Sequence, residues 1–184
     1  MKNGPHEKFV NNITPDCFLP HICYQFDQVL GPNIHAGFVY LDTVHPSFGL
    51  LYALPEKEFL RAFRYFKASR HVEETPFMTA PIRPKEGMPG GALFLSSNRG
   101  RDAILWVSVH EKEDATDTPA KGTLFAVDAL SLQTIWKEDD IAYFAKFQPP
   151  IVADGKVYLV RWGGLEESDR RRAVRSAIVV YGLR

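Results

Sequence analysis

The feature that most constrains this chain is a pattern of short strands that starts again along the sequence. New strand groups begin near residues 35, 91 and 149, so about 57 residues separate successive starts. Each group holds three or four short runs of apolar, β-branched and aromatic residues, with Gly, Pro or Asn between them. Frequent turn formers suit many short strands better than long helices, so the sequence predicts an all-β chain.

The repetition also favours one architecture among the all-β folds. Units of four antiparallel strands that recur every ~40–50 residues are typical of β-propeller blades, and the extra length here falls in loops. A β-sandwich is the structural alternative, but the units resemble one another, which favours the propeller. We predict an irregular N-terminal segment over 1–30 and a partial β-propeller over 31–184, with blades at about 31–80, 90–140 and 146–184. These make about three four-stranded antiparallel blades, the last one incomplete.

Charge and hydropathy exclude some partners. The chain has 22 basic and 22 acidic residues and a formal net charge of +0, which argues against nucleic acid as a partner. No apolar run is long enough for a membrane span, and no signal peptide follows Met1. Cys17 and Cys23 could form one disulfide, although two small apolar residues are the favoured interpretation.

Several motifs make the propeller prediction more specific. Residues 144–159 (FAKFQPPIVADGKVYL) resemble the "PP-x-VA-x-GKVY" opening of the last blade in pyrroloquinoline-quinone-like repeat proteins. The segment 124–129 (LFAVDA), followed by Ile135-Trp136, is similar to the "L-x-A-x-D-A … W" part of that repeat. Residues 87–98 (GMPGGALFLSSN), 33–40 (NIHAGFVY) and 178–183 (IVVYGL) resemble elements of a usually exported branch of this superfamily.

The resemblance covers residues 33–184 and implies roles for individual residues. It implies that Asp128 accepts hydrogen bonds from backbone N–H groups in the turn after its strand, and that Trp136 packs flat between adjacent blades. Gly155 and Tyr158 are further structural positions of the repeat, and the dipeptide Asp154-Gly155 predicts a tight hairpin turn. The branch implies an exported or extracellular protein, although this chain shows no signal peptide.

Ring closure bears on partners and function. A closed propeller needs at least about four blades, so we interpret the chain as a truncated or split gene product. Its expected partners are other propeller blades in the same or another chain. The predicted function is a non-catalytic propeller segment that serves as a scaffold or binding surface. The alternative is part of a quinone-dependent oxidoreductase whose active site lies in missing N-terminal blades.

The sequence predicts no cofactor and no catalytic or metal-binding residue. Quinoprotein alcohol dehydrogenases hold pyrroloquinoline quinone against adjacent, disulfide-bonded cysteines and bind calcium through Glu, Asn and Asp. Cys17 and Cys23 are not adjacent, and no calcium ligand can be matched in this chain. Binding of pyrroloquinoline quinone and calcium is therefore only the alternative to the prediction that no cofactor binds.

His35 is the one weak site candidate, because it stands at the start of an inner strand that would line the propeller channel. Imidazole titrates near neutrality, so a ligand or acid–base role is conceivable. A hydrogen-bonded structural histidine is the favoured interpretation, since the sequence reveals no residue that would orient the ring.

Overall fold

The computed structural model describes residues 35, 37–85, 88–111, 120–141, 144–162, 164–165, 173–174 and 176–182, and every regular element there is a β-strand. The all-β prediction is therefore confirmed for the described residues. The strands are β1 (Val39–Leu41), β2 (Phe48–Ala53), β3 (Leu60–Phe66), β4 (His71–Val72), β5 (Met78–Ala80), β6 (Gly91–Asn98), β7 (Arg101–His110), β8 (Gly122–Asp128), β9 (Thr134–Ile141), β10 (Ile151–Ala153), β11 (Lys156–Arg161), β12 (Gly164–Leu165), β13 (Ala173–Val174) and β14 (Ala177–Gly182).

The prediction for the N-terminal segment falls outside those ranges. The predicted irregular segment 1–30, with both cysteines, is not among the described residues. Within the described ranges no helix has the length and apolarity that crossing a bilayer requires.

The first sheet has the order β1-β2-β3-β4, and β5 also pairs with β3. All its pairings are antiparallel, and the register places Leu41 opposite Leu50 and Leu51 opposite Phe63. Residues alternate across the sheet, so Leu50 and Tyr52 face one side while Leu51 and Ala53 face the other. The sheet holds five strands where four were predicted, because two short strands share one edge of β3: β4 pairs with its end and β5 with its start.

The second sheet is an antiparallel meander with the order β6-β7-β8-β9. It matches the predicted four-stranded unit, and β9 extends past the Ile135-Trp136 motif to Ile141. This last part of β9 carries Lys, Glu and Asp, and a charged segment of this kind lacks the apolar pattern by which a strand is recognised in the sequence. Residues 134–139 are exposed, so the outermost strand of this sheet tolerates those charges.

The third sheet has three strands in the order β10-β11-β14. The sequence predicted fewer than four strands for this last unit. Its first hairpin turns at Asp154 and Gly155, whose φ angles are 49° and 67°. Positive φ at both central residues of a two-residue loop is the type I′ geometry that Asp-Gly favours. A separate small hairpin, β12-β13, lies between β11 and β14 in the sequence.

Two apolar cores hold the three sheets together. The larger lies between the first and second sheets, and its buried members come from both: Leu41, Leu50, Tyr52, Leu54, Leu60, Ala62, Ala80, Ile82, Leu93, Ala103, Leu105, Val107, Val109, Val127, Ala129 and Leu132. The smaller lies between the second and third sheets and has Leu124, Ile141, Val157 and Leu159 as its buried members. The first strand of the second sheet, β6, contacts the first strands of both other sheets, β1 and β10. The leading strands of the three sheets therefore lie side by side.

Candidate functional site

His35 pairs with a buried carboxylate that the sequence analysis did not identify. Its Nε2 atom lies 2.8 Å from Oε1 of Glu56, in the turn between β2 and β3. The Glu56 side chain is 4% exposed and that of His35 is 28% exposed. His35 therefore has a buried carboxylate beside its ring, which the sequence did not reveal.

Glu56 escaped notice because it opens a charged run, Glu56-Lys57-Glu58, which reads as a solvated turn. The signal that could have found it is the buried stretch before it, since Leu54 and Pro55 are both buried. A carboxylate is rarely buried unless it is paired, so a charge in such a position calls for a partner.

The glycines of the second unit bring its chain against the Glu56 turn. Gly90 has a φ of +80°, and a side-chain Cβ there would lie 3.2 Å from the Glu56 backbone nitrogen. At Gly91 a Cβ would lie only 2.2 Å from Cδ2 of Leu54. The two glycines permit an approach between the first and second sheets that residues with side chains would block.

Phe147 brings the third unit to the same place. This residue precedes β10, and its ring meets the His35 ring edge-on, with 5.5 Å between centroids and 65° between planes. Edge-to-face contact of this kind is a favoured aromatic geometry. The site therefore gathers one residue or turn from each of the three sheets, next to their leading strands.

A small cavity lies beside these residues. It is lined by Pro89, Gly90, Gly91, Ala92, Phe144 and Phe147, and its empty volume is about 170 Å³, including the open space at its mouth. Pockets for small organic ligands are typically about 300–1,000 Å³. The cavity formed by these residues is thus smaller than such a pocket, and its lining is apolar.

A second histidine lies at the inner end of the second sheet. His110, the last residue of β7, is 1% exposed, and its ring centroid lies 5.9 Å from that of Phe144. Gly122 stands opposite His110, and a Cβ there would lie 2.9 Å from Phe144 Cδ2. Phe144 thus fills the space left by a glycine and packs on a buried histidine.

The site offers a carboxylate–imidazole pair, with the Phe147 ring against the imidazole. Such a pair can hold a proton or orient the imidazole toward a polar group. Among the described residues, no group of three or more His, Cys, Asp or Glu side chains is placed to hold a metal ion.

Asp128 lies far from His35 in the sequence and organises a turn. Its Oδ1 accepts hydrogen bonds from the backbone N–H groups of Leu130 and Ser131, at 3.0 and 2.8 Å, and from the Ser131 hydroxyl at 2.8 Å. Those backbone bonds are the ones expected of this residue. They form an Asx turn, which connects β8 to β9.

The packing predicted for Trp136 is wrong in its geometry. Its ring meets Tyr181 of the third sheet, so it does reach the neighbouring unit, but the planes are inclined at 66° with 5.7 Å between centroids. Trp136 is also 38% exposed. The Trp136 ring therefore lies at the margin of the contact and is inclined to the Tyr181 ring, because β9 is the outermost strand of its sheet.

Gly155 and Tyr158 both belong to the third sheet. A Cβ on Gly155 would meet nothing within 4 Å, so close packing does not require a glycine here. The positive φ angle of the backbone does. Tyr158 stands in the central strand, between Ile151 on β10 and Val180 on β14. Neither residue lies in the His35–Glu56 site.

Comparison of the chain with protein-family models, curated proteins and solved structures gives no match in any of the three.

Proposed function

We propose that the three sheets are consecutive blades of a β-propeller of the pyrroloquinoline-quinone-like type, and that the chain serves as a non-catalytic scaffold or binding surface. The observation that carries this proposal is the contact of β6 with both β1 and β10. In a propeller the first strand of every blade lines a common channel, so neighbouring first strands are close together. In a stack of flat sheets, the first strands of neighbouring sheets would be no closer to one another than their outer strands are.

The His35–Glu56 site supports the same arrangement. It lies where the leading segments of all three sheets meet, which is the position of a channel end in a propeller. Its cavity is smaller than a cofactor pocket. This favours a structural contact between the sheets, or a binding surface, over an active site. The motif resemblance and this geometry together support the propeller assignment and the non-catalytic role.

Distances between spin labels test the propeller. Labels at Asp42 and Asn98 report on the leading strands of the first and second sheets, and labels at Arg70 and Lys137 report on their outer strands. All four residues are exposed. On a background in which both cysteines are replaced by serine, we expect the outer pair to be farther apart than the inner pair. An outer distance equal to or shorter than the inner one would contradict radial blades.

Titration with pyrroloquinoline quinone and calcium tests the non-catalytic role. We expect no saturable change in quinone absorbance or in the tryptophan fluorescence of the chain. Binding of one quinone per chain at micromolar concentration would instead favour the alternative, a part of a quinone-dependent oxidoreductase.

A further inference from the structure

One side of the first sheet is buried without a contribution from the described residues of the other two sheets. Strand alternation places Leu51, Ala53 and Phe63 on the side that faces away from the second sheet. With Val72 they form an apolar cluster in which Ala53 is 1%, Phe63 0% and Val72 6% exposed. All described members of this cluster belong to the first sheet, because the larger core lies on its other side. We call Leu51, Ala53, Phe63 and Val72 the covered face.

The third sheet provides a comparison for this burial. Val160 stands on its central strand, on the side away from the second sheet, and is 36% exposed. Phe63 stands on β3, an inner strand of the first sheet, also on the side away from the second sheet. Its side chain is larger than that of valine, yet it is 0% exposed. Neighbours within one sheet leave Val160 accessible, so a further layer of atoms must lie over Phe63.

The layer over Phe63 belongs to the same chain, because the exposures refer to one chain alone. Outside the described ranges, the stretch 1–34 is the longest, and it leads directly into the first sheet at β1. The stretches 112–119 and 166–172 are attached to the second and third sheets, beyond the larger core. The stretch 1–34 is therefore the part of the chain that can cover this side.

The second half of that stretch has the composition of a buried segment. Residues 18–30 (FLPHICYQFDQVL) are mostly apolar and carry one formally charged residue, Asp27. Ile22, Tyr24 and Phe26 recur at every second position, the period at which residues of an extended segment share a side. The five residues from 30 to 35 can span up to about 17 Å, which exceeds the ~10 Å between packed β-layers.

We propose that residues 18–30 pack on the covered face and form a cap that closes this end of the stack of sheets. Apolar side chains of the segment replace water over Phe63 and Val72, and this contact accounts for the burial of both. Tyr40 marks the limit of the cap, because its ring lies against Gly49 and is still 43% exposed. The cap therefore covers the central strands and leaves the edge at β1 accessible.

The cap decides what can bind at this end of the molecule. While it is docked, a sheet from another chain cannot pack on the first sheet. Terminal units of repeat proteins are closed in a similar way, by caps that differ from the repeat. The proposal does not depend on the propeller assignment, because it rests on the burial and register of the first sheet.

A spin label on a native cysteine tests the cap without a destabilising substitution. Cys17 and Cys23 are the two cysteines of the chain, and Cys23 lies within the cap. With Cys17→Ser and a nitroxide on Cys23, we expect strong paramagnetic broadening of the Val72 methyl signals and weaker broadening at Val160. The reduced nitroxide is the diamagnetic control. Broadening that is absent at Val72, or no stronger there than at Val160, overturns the proposal. If Cys23 does not react with the label, Gln25→Cys in a chain without native cysteines carries it instead.

Thiol accessibility measures the contact itself in a matched pair of variants. In a chain whose native cysteines are replaced by serine, Val72→Cys places a thiol on the covered face. Phe26→Lys puts a charge among the alternating apolar residues of the cap, whereas Gln25→Lys puts the same charge at the neighbouring polar position. We expect Phe26→Lys to speed the reaction of the Val72→Cys thiol about 10-fold or more, because the cap opens, and Gln25→Lys to change it less than about twofold.

A second thiol separates opening of the cap from unfolding of the chain. Val157→Cys reports on the core between the second and third sheets, where Val157 is 5% exposed, and its reactivity should be the same with and without Phe26→Lys. If Phe26→Lys also exposes the Val157→Cys thiol, the chain has unfolded, and Tyr24→Lys takes its place in the same measurement. A Val72→Cys thiol that reacts no faster in the folded cap variant than in Gln25→Lys overturns the proposal.

Discussion

The contact between the first and second sheets differs from the contact between the second and third in size and in kind. The first is a broad core with a buried hydrogen bond across it, in which the Tyr52 hydroxyl donates to the Ala129 carbonyl at 2.7 Å. The second has four buried residues and is bordered by the half-exposed pair Trp136 and Tyr181. We infer that the first two sheets form the stable part of the molecule and that the third opens at lower free energy.

The largest expected effects come from truncating leucines in the two cores. Leu105 faces the first sheet and is 0% exposed, and Leu159 faces the second sheet and is 4% exposed. Leu105→Ala should lower the free energy of unfolding by about 3–5 kcal/mol, and Leu159→Ala by about 2–3 kcal/mol, because a smaller core relaxes more easily around a cavity.

Chemical denaturation and hydrogen exchange measure both variants. Leu159→Ala should increase exchange in β10, β11 and β14 while leaving β2 and β7 protected. Val44→Ala, at a residue 59% exposed, serves as the control and should change stability by less than about 0.5 kcal/mol. Equal loss of protection in all three sheets would contradict the difference between the two contacts.

Glycine substitutions test the first contact through the backbone. Gly100 has a φ of +79°, and a Cβ there would lie 2.3 Å from the Asp42 carbonyl oxygen on the first sheet. Gly100→Ala should therefore cost about 2–3 kcal/mol, from left-handed backbone strain and a clash with backbone that cannot easily move. Gly155→Ala, at a φ of +67° with nothing within 4 Å, should cost only the strain of about 1 kcal/mol.

Thermal denaturation compares the two glycine variants directly. The melting temperature should fall further for Gly100→Ala than for Gly155→Ala. The reverse order would show that the close approach of Gly100 to Asp42 is not a tight contact.

Tyrosine ionisation distinguishes the contacts by pH. Burial raises the pKa of Tyr52 well above its usual range, with a smaller contribution from the charge of Asp128. Because the folded state favours the neutral hydroxyl, this stabilisation is complete below the unfolded pKa near 10 and is lost as the pH rises above it. Burial, and then the charge of Glu138, also raises the pKa of Tyr181 at the second contact.

Alkaline denaturation of two phenylalanine variants tests this difference. Tyr52→Phe should lower stability at pH 7 by about 1–2 kcal/mol, because it leaves the Ala129 carbonyl without its donor, and it should flatten the loss of stability above pH ~10. Tyr181→Phe should change both quantities less. A Tyr181→Phe effect as large as that of Tyr52→Phe would argue that the two contacts are equivalent.

The smallest expected effect concerns Trp136. Replacing it by Leu removes an edge-on aromatic contact at a half-exposed position, which should cost about 0.5–1 kcal/mol. The same replacement of a tryptophan packed flat and buried would cost more, because it would also leave a cavity in the core, so unfolding measurements separate the two geometries.

Sequence reasoning recovered much of the fold and little of the site. It found the three strand groups, the hairpin at Asp154-Gly155 and the turn hydrogen bonds of Asp128. It missed β5, the β12-β13 hairpin and the charged half of β9. Short strands carry few residues of periodic signal, and an exposed outer strand carries charges that resemble a loop.

What the sequence by itself determined is local: an all-β chain, the positions of its main strands, and the turns that need Gly or Asp. These follow from alternation and turn chemistry, which act over a few residues. Only the tertiary structure decided that Glu56 meets His35, that the Trp136 ring is inclined to the Tyr181 ring, and that the third sheet exposes Ile151, Ile178 and Val180. Each of these depends on how separate sheets pack, because the partners of a side chain across a sheet contact are distant in the sequence and its own periodicity does not specify them.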